Sequence, residues 1–201
     1  MSEQEVITLA RMGDQAAFTI LVQTYQGAIY NLCYRMLGDA GEAEEATQET
    51  FLRAHTRFGR YDPERPFKPW LYSIANHYCI DRLRRRRLIW VDIDDEPLAG
   101  HPALREQHMG PEDSVIARER AAEVQELLET LSPKDRAAVV MLYWYNLSYQ
   151  EIAEVTGATV SAVKSRLHRA RSTMAEALRQ APARAGTLQP LSRAASPVGA
   201  A

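Results

Sequence analysis

The sequence predicts an all-α protein built as two small helical domains joined by a flexible linker, a four-helix unit followed by a helix-turn-helix unit. Three observations predict it. Apolar residues recur at spacings of three and four through most of the chain, the period of a helix with one buried side. That periodicity lapses between positions 89 and 112, where Pro97, Gly100, Pro102, Gly110 and Pro111 collect. After the gap, Ser148 to Arg171 reads as helix, tight turn and basic helix.

The 201 residues have room for one large domain or two small ones, and 46% hydrophobic content supports a packed core. Net charge is only −2, from 24 Lys and Arg against 26 Asp and Glu. The charges are segregated. Asp39 to Glu49 carries Asp39, Glu42, Glu44, Glu45 and Glu49 with no base; Asp81 to Leu88 carries five arginines against one aspartate; Val91 to Glu96 is acidic again. Such asymmetry assigns different faces to different partners. Cys33 and Cys79 lie in apolar helical patterns, with no CxxC and no signal peptide. They read as buried, reduced thiols of a cytoplasmic protein. No run approaches 18 apolar residues, so no membrane span is expected.

In order, residues 2–12 form a short helix with Val6, Ile7 and Leu9 apolar. Gly13-Asp14 breaks it, and Asp14 caps the next. Phe18, Leu21, Val22, Tyr25, Ile29, Leu32, Cys33 and Met36 trace one stripe of a long helix ending near Leu37-Gly38. A third helix, from about Gly41 to Arg57, is acidic first and basic last, as the helix dipole favours; Ala46, Phe51, Leu52 and Ala54 supply its apolar contact. From Phe58 to Pro69 three prolines and a glycine predict a loop. Its rings lie among charges, as in surfaces that stack unpaired bases, although Tyr61 and Phe67 could equally plug the end of the bundle. A fourth helix runs from Trp70 to about Arg87, its Arg84–Arg87 end basic enough to meet a nucleic-acid backbone.

The linker of 24 residues, 89–112, has a coil-like span of roughly 25–30 Å and reaches about 80 Å extended. Its opening WVDIDDE begins like a short strand or an interaction strip. Asp113 to Glu129 is a helix, and Ser132-Pro133 starts another over Lys134–Tyr145. Ser148 and Glu151 have capping-box spacing, Gly157 permits a sharp turn, and Thr159 caps a final helix to about Gln180. In that helix Val160, Val163, Leu167, Ala170 and Met174 form the buried stripe. Ser161, Lys164, Ser165, Arg166, His168, Arg169 and Arg171 stay largely off it. This is the pattern of a recognition helix for the DNA major groove; the plainer reading is an amphipathic pair with a solvated basic face. Residues 181–201 hold three prolines and few large apolar groups, and read as a disordered tail.

With these residues laid out, the chain resembles the extracytoplasmic-function (ECF) sigma factors of the sigma-70 family. ATQETFLRAH at 46–55, FKPWLYSIANHYCIDRLRRRR at 67–87 and the block from Leu131 to Arg171 match in order. The resemblance implies a region-2-like domain over 1–88 and a region-4-like domain over 113–180, which bind core RNA polymerase and direct it to promoters. Glu45, Thr47, Gln48, Glu49 and Phe51 would dock on the clamp coiled coil of the largest subunit, with a second contact at the flap. Arg60, Tyr61, Asp62, Phe67, Lys68, Trp70, Asn76, His77, Arg84 and Arg85 would recognise and melt the −10 element and hold its non-template strand. Thr159, Ser161, Lys164, Ser165, Arg166, His168, Arg169 and Arg171 would read the −35 duplex. Many members carry Arg-Asn where this chain has Asn76-His77, so the −10 preference does not transfer. An anti-sigma factor is the implied inhibitor.

Charge arithmetic agrees with a two-site reader. Four cations on one helix give a salt slope of about −3 to −4, weak for duplex DNA alone, and no heptad seam supplies a dimer. Tethering through the linker would strengthen the second contact. A stand-alone helix-turn-helix regulator is the competing reading. An enzyme is disfavoured, because His55, His77, His101, His108 and His168 are scattered and no HExxH, GxSxG or P-loop occurs. Neither metal nor cofactor is expected.

Overall fold

A computed structural model describes residues 1–91 and 113–180. The linker beyond Val91, including most of WVDIDDE, and the tail from 181 lie outside the described residues. Eight α-helices and one 3-10 turn make up the rest, with no strand among the described residues. The first unit holds α1 (Glu3–Arg11), α2 (Gln15–Leu37), α3 (Ala40–Arg57), a 3-10 turn (Phe58–Arg60) and α4 (Phe67–Val91). The second holds α5 (Asp113–Glu129), α6 (Pro133–Tyr145), α7 (Tyr149–Thr156) and α8 (Val160–Gln180).

Local signals set the boundaries. Ser2 and Glu5 form a capping box at α1, and Asp14 Oδ1 accepts the Ala17 N–H at 3.0 Å to start α2. Gly38 ends α2 at φ +78°, the left-handed conformation that glycine reaches without a Cβ penalty. Ser148 and Glu151 close a second capping box at α7, and Gly157 turns the chain at φ +60° into α8. The fourth helix departs from expectation at both ends. It begins three residues before Trp70, since a proline at position 69 lies in the first turn, where its missing N–H would have no helical partner. It also continues through Val91, taking Trp90 and Val91 out of the expected strand-like strip.

α2 is the axis of the first unit, packing against α1, α3 and α4. Ile29, Leu32, Cys33 and Met36 are wholly buried along it. Cys33 and Cys79 meet in this core as free thiols; their mutual hydrogen bond, then burial, holds Cys79 well above the ordinary thiol range. The second unit is centred on α6, α7 and α8, around Val140, Met141, Ile152, Val155, Val163 and Leu167.

The two units pack against each other. α6 and α7 lie on α4, and α5 and α6 lie on α2. At the end of α2 three successive carbonyls are capped by side chains. Gln125 Nε2 reaches Arg35 O at 3.4 Å, Arg136 Nη1 reaches Met36 O at 2.6 Å, and Arg86 Nη1 reaches Leu37 O at 3.2 Å. Two of these donors come from the second unit, so it completes a helix terminus that the first unit leaves open. A Cβ on Gly38 would lie 2.5 Å from Glu129 Oε1, the end of a flexible side chain that can move aside, so it is the positive φ that calls for glycine here. Farther along, the Tyr145 hydroxyl donates to Ala28 O at 2.7 Å, its ring meets Tyr72 at 5.0 Å, and Arg35 stacks 4.3 Å from the Trp144 ring.

Glu151 is held below its ordinary carboxylate range by hydrogen bonds from Ser148. A depressed pKa adds stability above pH 4.5 that is lost as pH falls through the folded value. Glu151→Ala is therefore expected to lower the melting temperature at neutral pH, with the difference from wild type shrinking below pH 4.5. Thermal unfolding across that range checks it.

Candidate nucleic-acid interface

The helix-turn-helix is assembled from α7 and α8. Thr159 Oγ1 accepts the Ala162 N–H at 3.1 Å and sets the start of α8. Val163, Leu167 and Ala170 are buried, and Ser161, Lys164, Ser165, His168, Arg169 and Arg171 are exposed. Lys164 and Arg171 form no salt bridge among the described residues. Arg166 is half-buried, its Nη1 3.4 Å from Thr156 Oγ1. Arg169 pairs with Asp135 at 2.9 Å, tying α8 to the start of α6. Lys164 and Arg171 thus stand out from the first half and the middle of α8 without an acidic neighbour among the described residues.

In the first unit the candidate residues divide by accessibility. Arg60, Asp62, His77, Arg84 and Arg85 are exposed. Asp62 Oδ1 accepts the Glu64 N–H at 3.1 Å and braces the loop, and His77 Nδ1 lies 2.6 Å from Ser73 O. Trp70 is half-buried. Lys68 points across the seam, its Nζ 3.4 Å from Tyr145 O and 5.7 Å from the Tyr72 ring.

Four of the assigned residues lie inside the first unit. Tyr61 and Phe67 are 2% and 5% exposed, packed with Phe58 and Trp70 in an aromatic plug. The Tyr61 hydroxyl donates to Arg65 O, and burial raises its pKa. Both rings face into the end of the bundle in this packing. Asn76 is wholly buried, and neither of its amide atoms has a hydrogen-bond partner among the described residues. Phe51 is buried on the core side of α3.

Along α3, Glu45 binds Arg82 in a bidentate pair at 3.0 and 2.9 Å, and Glu49 pairs with Arg53 at 2.6 Å. Thr47 donates to Ala43 O at 2.6 Å, and Gln48 is free on the surface. Leu52, expected to face inward, is 62% exposed one turn beyond Gln48. The buried stripe is Ala43, Ala46, Thr50 and Ala54. A residue two positions from Thr50 lies about 200° round the helix, a signal the sequence already held. The arginine run at the end of α4 is partly neutralised: Arg82 and Arg86 reach back to Glu42, leaving Arg84 and Arg85 outward.

The fold and these faces define a helical protein with a helix-turn-helix reader mounted on an acidic and basic helical unit. Residues 21–89 match the family description Sigma-70 region 2, and residues 121–174 match Sigma-70, region 4. The chain is 37% identical over 177 residues to the ECF RNA polymerase sigma factor SigW of Bacillus subtilis, covering 86% of this chain and 95% of that one. It is 33% identical to the RNA polymerase sigma-H factor of Pseudomonas aeruginosa, covering 88% and 93%. CnrH, solved in complex with the cytosolic domain of CnrY, superposes with a TM-score of 0.66 at 25% identity, covering 90% of this chain and 99% of that chain. The sigma factor RpoE of Bartonella quintana, solved with the anti-sigma factor NepR, gives 0.62 at 22% identity, covering 82% and 98%; it supports the fold. The chain belongs to the ECF sigma factors of the sigma-70 family, the alternative promoter-specificity subunits of RNA polymerase. No described helix is long and apolar enough to cross a membrane.

The aromatic plug sets the effect of changes in the loop. Tyr61→Ala is expected to cost about 3–5 kcal/mol of stability, as large-to-small aromatic changes do. Tyr61→Phe, which loses one hydrogen bond, is expected to cost about 1 kcal/mol. Urea unfolding of both variants distinguishes a structural ring from one held free for DNA.

Proposed function

We propose that this chain acts in the cytoplasm, binds core RNA polymerase through α3 and places it on promoters whose −35 element is read by α8. It performs no catalysis of its own. Glu45, Gln48, Glu49 and Leu52 form the docking face for the clamp coiled coil of the largest subunit, with Thr47 holding the helix surface behind them; the second domain meets the flap. Lys164, Ser165, His168 and Arg171, aided by Ser161, Arg166 and Arg169, contact the −35 duplex. Arg60, Asp62, His77, Arg84 and Arg85, with Lys68 and the free edge of Trp70, meet the −10 region and its displaced non-template strand. The observation that carries this reading is the exposed basic face of α8, which acids among the described residues leave largely unneutralised. Its few cations support a subunit that borrows affinity from polymerase rather than one acting alone.

An anti-sigma factor is the proposed inhibitor, in line with the sigma factor RpoE of Bartonella quintana, solved with the anti-sigma factor NepR. The decisive experiment is run-off transcription with purified core polymerase. Addition of the chain is expected to start transcripts at a defined promoter, and absence of both initiation and core binding would overturn the reading.

Two variants separate the faces. Lys164→Ala is expected to weaken promoter selection and lower the salt slope by about one, with core binding intact in a pull-down. Leu52→Glu is expected to abolish co-elution with core while leaving the circular dichroism spectrum unchanged.

A further inference from the structure

Each residue of α8 is turned about 100° from the one before it, so the helix has a buried side, an outward strip and two flanks. Val163, Leu167 and Ala170 fill the buried side. Ser161, Ser165, His168 and Ser172 form the outward strip, polar and exposed throughout. The cations stand to either side of it. Lys164 and Arg171 lie about 20° apart on one flank, and Arg166 and Arg169 about 60° apart on the other.

The two flanks are held differently. Lys164 and Arg171 enter no salt bridge among the described residues, whereas both arginines of the other flank are tied to neighbouring helices. Arg166 Nη1 lies 3.4 Å from Oγ1 of Thr156 on α7, whose own hydroxyl donates to Ile152 O at 2.7 Å. That oxygen's lone pairs are therefore left to accept from the guanidinium. Arg169 Nη2 donates to Oδ1 of Asp135 on α6 at 2.9 Å. This second pair is lopsided: the Asp135 side chain is 12% exposed and the Arg169 side chain 60%. The acid sits within the domain, in the first turn of α6 where the helix dipole favours an anion, and most of the guanidinium projects from it. A partly exposed pair of this kind adds little stability. What it fixes is a direction, because one bond to Oδ1 leaves the other donors of a rigid fork for a second acceptor.

We propose that Asp135 is a positioning residue for duplex reading: its carboxylate holds the Arg169 guanidinium on one flank of α8, beside an Arg166 held by Thr156, so that the two arginines meet one DNA strand already ordered. The inference rests on the proposed function for the duplex that α8 meets, and on the two tethers for the ordering. A helix lying in the major groove has a phosphate wall on each side. Lys164 and Arg171 meet one wall as mobile charges and lose their side-chain freedom on binding. Arg166 and Arg169 meet the other wall with part of that freedom already given up, which lowers the entropic cost of the contact. An acid beside a DNA-reading face is in itself unfavourable, since its charge repels phosphate. The ordering of Arg169 offsets that repulsion.

The test uses the full chain assembled with core polymerase. Wild-type holoenzyme selects duplexes from a pool randomised over the upstream half of the promoter, and affinity for a fluorescein-labelled selected duplex is read by anisotropy. Asp135→Asn keeps the backbone N–H that Ser132 Oγ accepts at 3.2 Å, so α6 stays capped. By charge alone this variant loses an acid next to DNA and binds more tightly. Positioning predicts the reverse, a loss of about fivefold. Arg169→Ala is expected to lose about tenfold, and adding Asp135→Asn to it is expected to cause no further loss. Asp135→Asn combined with Lys164→Ala is expected to lose the product of the two single effects. Affinity unchanged or tighter in Asp135→Asn overturns the proposal. So does an equal loss from Asp135→Asn with and without Arg169, the behaviour of an acid that only supports the fold. Core binding with no duplex enriched by the wild-type holoenzyme strikes the proposed function and this inference with it; enrichment with binding unaffected by Asp135→Asn strikes the inference alone.

Discussion

The guanidinium of Arg136 against the carbonyl of Met36 is the interaction on which the arrangement of this molecule depends. α2 ends inside the protein, and its last carbonyls carry the negative end of a 23-residue helix. A helix end buried without donors is costly, and here the donors come from three different helices, α4, α5 and α6. Two of those helices belong to the other unit. The long helix that organises the first domain is therefore finished by the second. Gly38 turns the chain there through its left-handed backbone.

A second constraint is electrostatic. The overall charge of −2 conceals an internal settlement between α3 and α4. Glu42 and Glu45 receive Arg82, and Glu42 also receives Arg86. These pairs are partly exposed and add little stability one by one. Their consequence is one of arrangement: they fix α4 on α3 and leave Gln48 and Leu52 outward on one side, Arg84 and Arg85 on the other. In the second domain Arg169 pairs with Asp135 and Arg179 with Glu176, and among the described residues Lys164 and Arg171 of α8 keep their field for a partner.

Helical periodicity, capping pairs and glycine turns were legible in the residues because they are local. Asp14, Ser132, Ser148, Thr159, Gly38 and Gly157 act where their types and spacing place them. What was not legible is what depends on contact between distant segments. The aromatic loop could not be assigned inward or outward, since interleaved rings and charges suit a plug and a stacking surface equally. Folding turns Tyr61 and Phe67 in and leaves Arg60 and Asp62 out. Leu52 was misplaced by its apolar character, although its helical angle already set it opposite Ala46 and Thr50. The start of α4 was obscured by Pro69, a helix breaker in the interior but not in a first turn. The seam had no sequence signature, because Gln125, Arg136 and Tyr145 each read as ordinary positions of their own helices.

The central claim is that the second unit finishes α2 of the first through Arg136 and the carbonyl of Met36. Hydrogen–deuterium exchange of the full chain, compared between wild type and Arg136→Met, tests it most directly. The account predicts faster exchange in the variant for peptides over the end of α2 and over α6, with the first capping box and α1 little changed. Equal exchange at the end of α2 in the two proteins would contradict it.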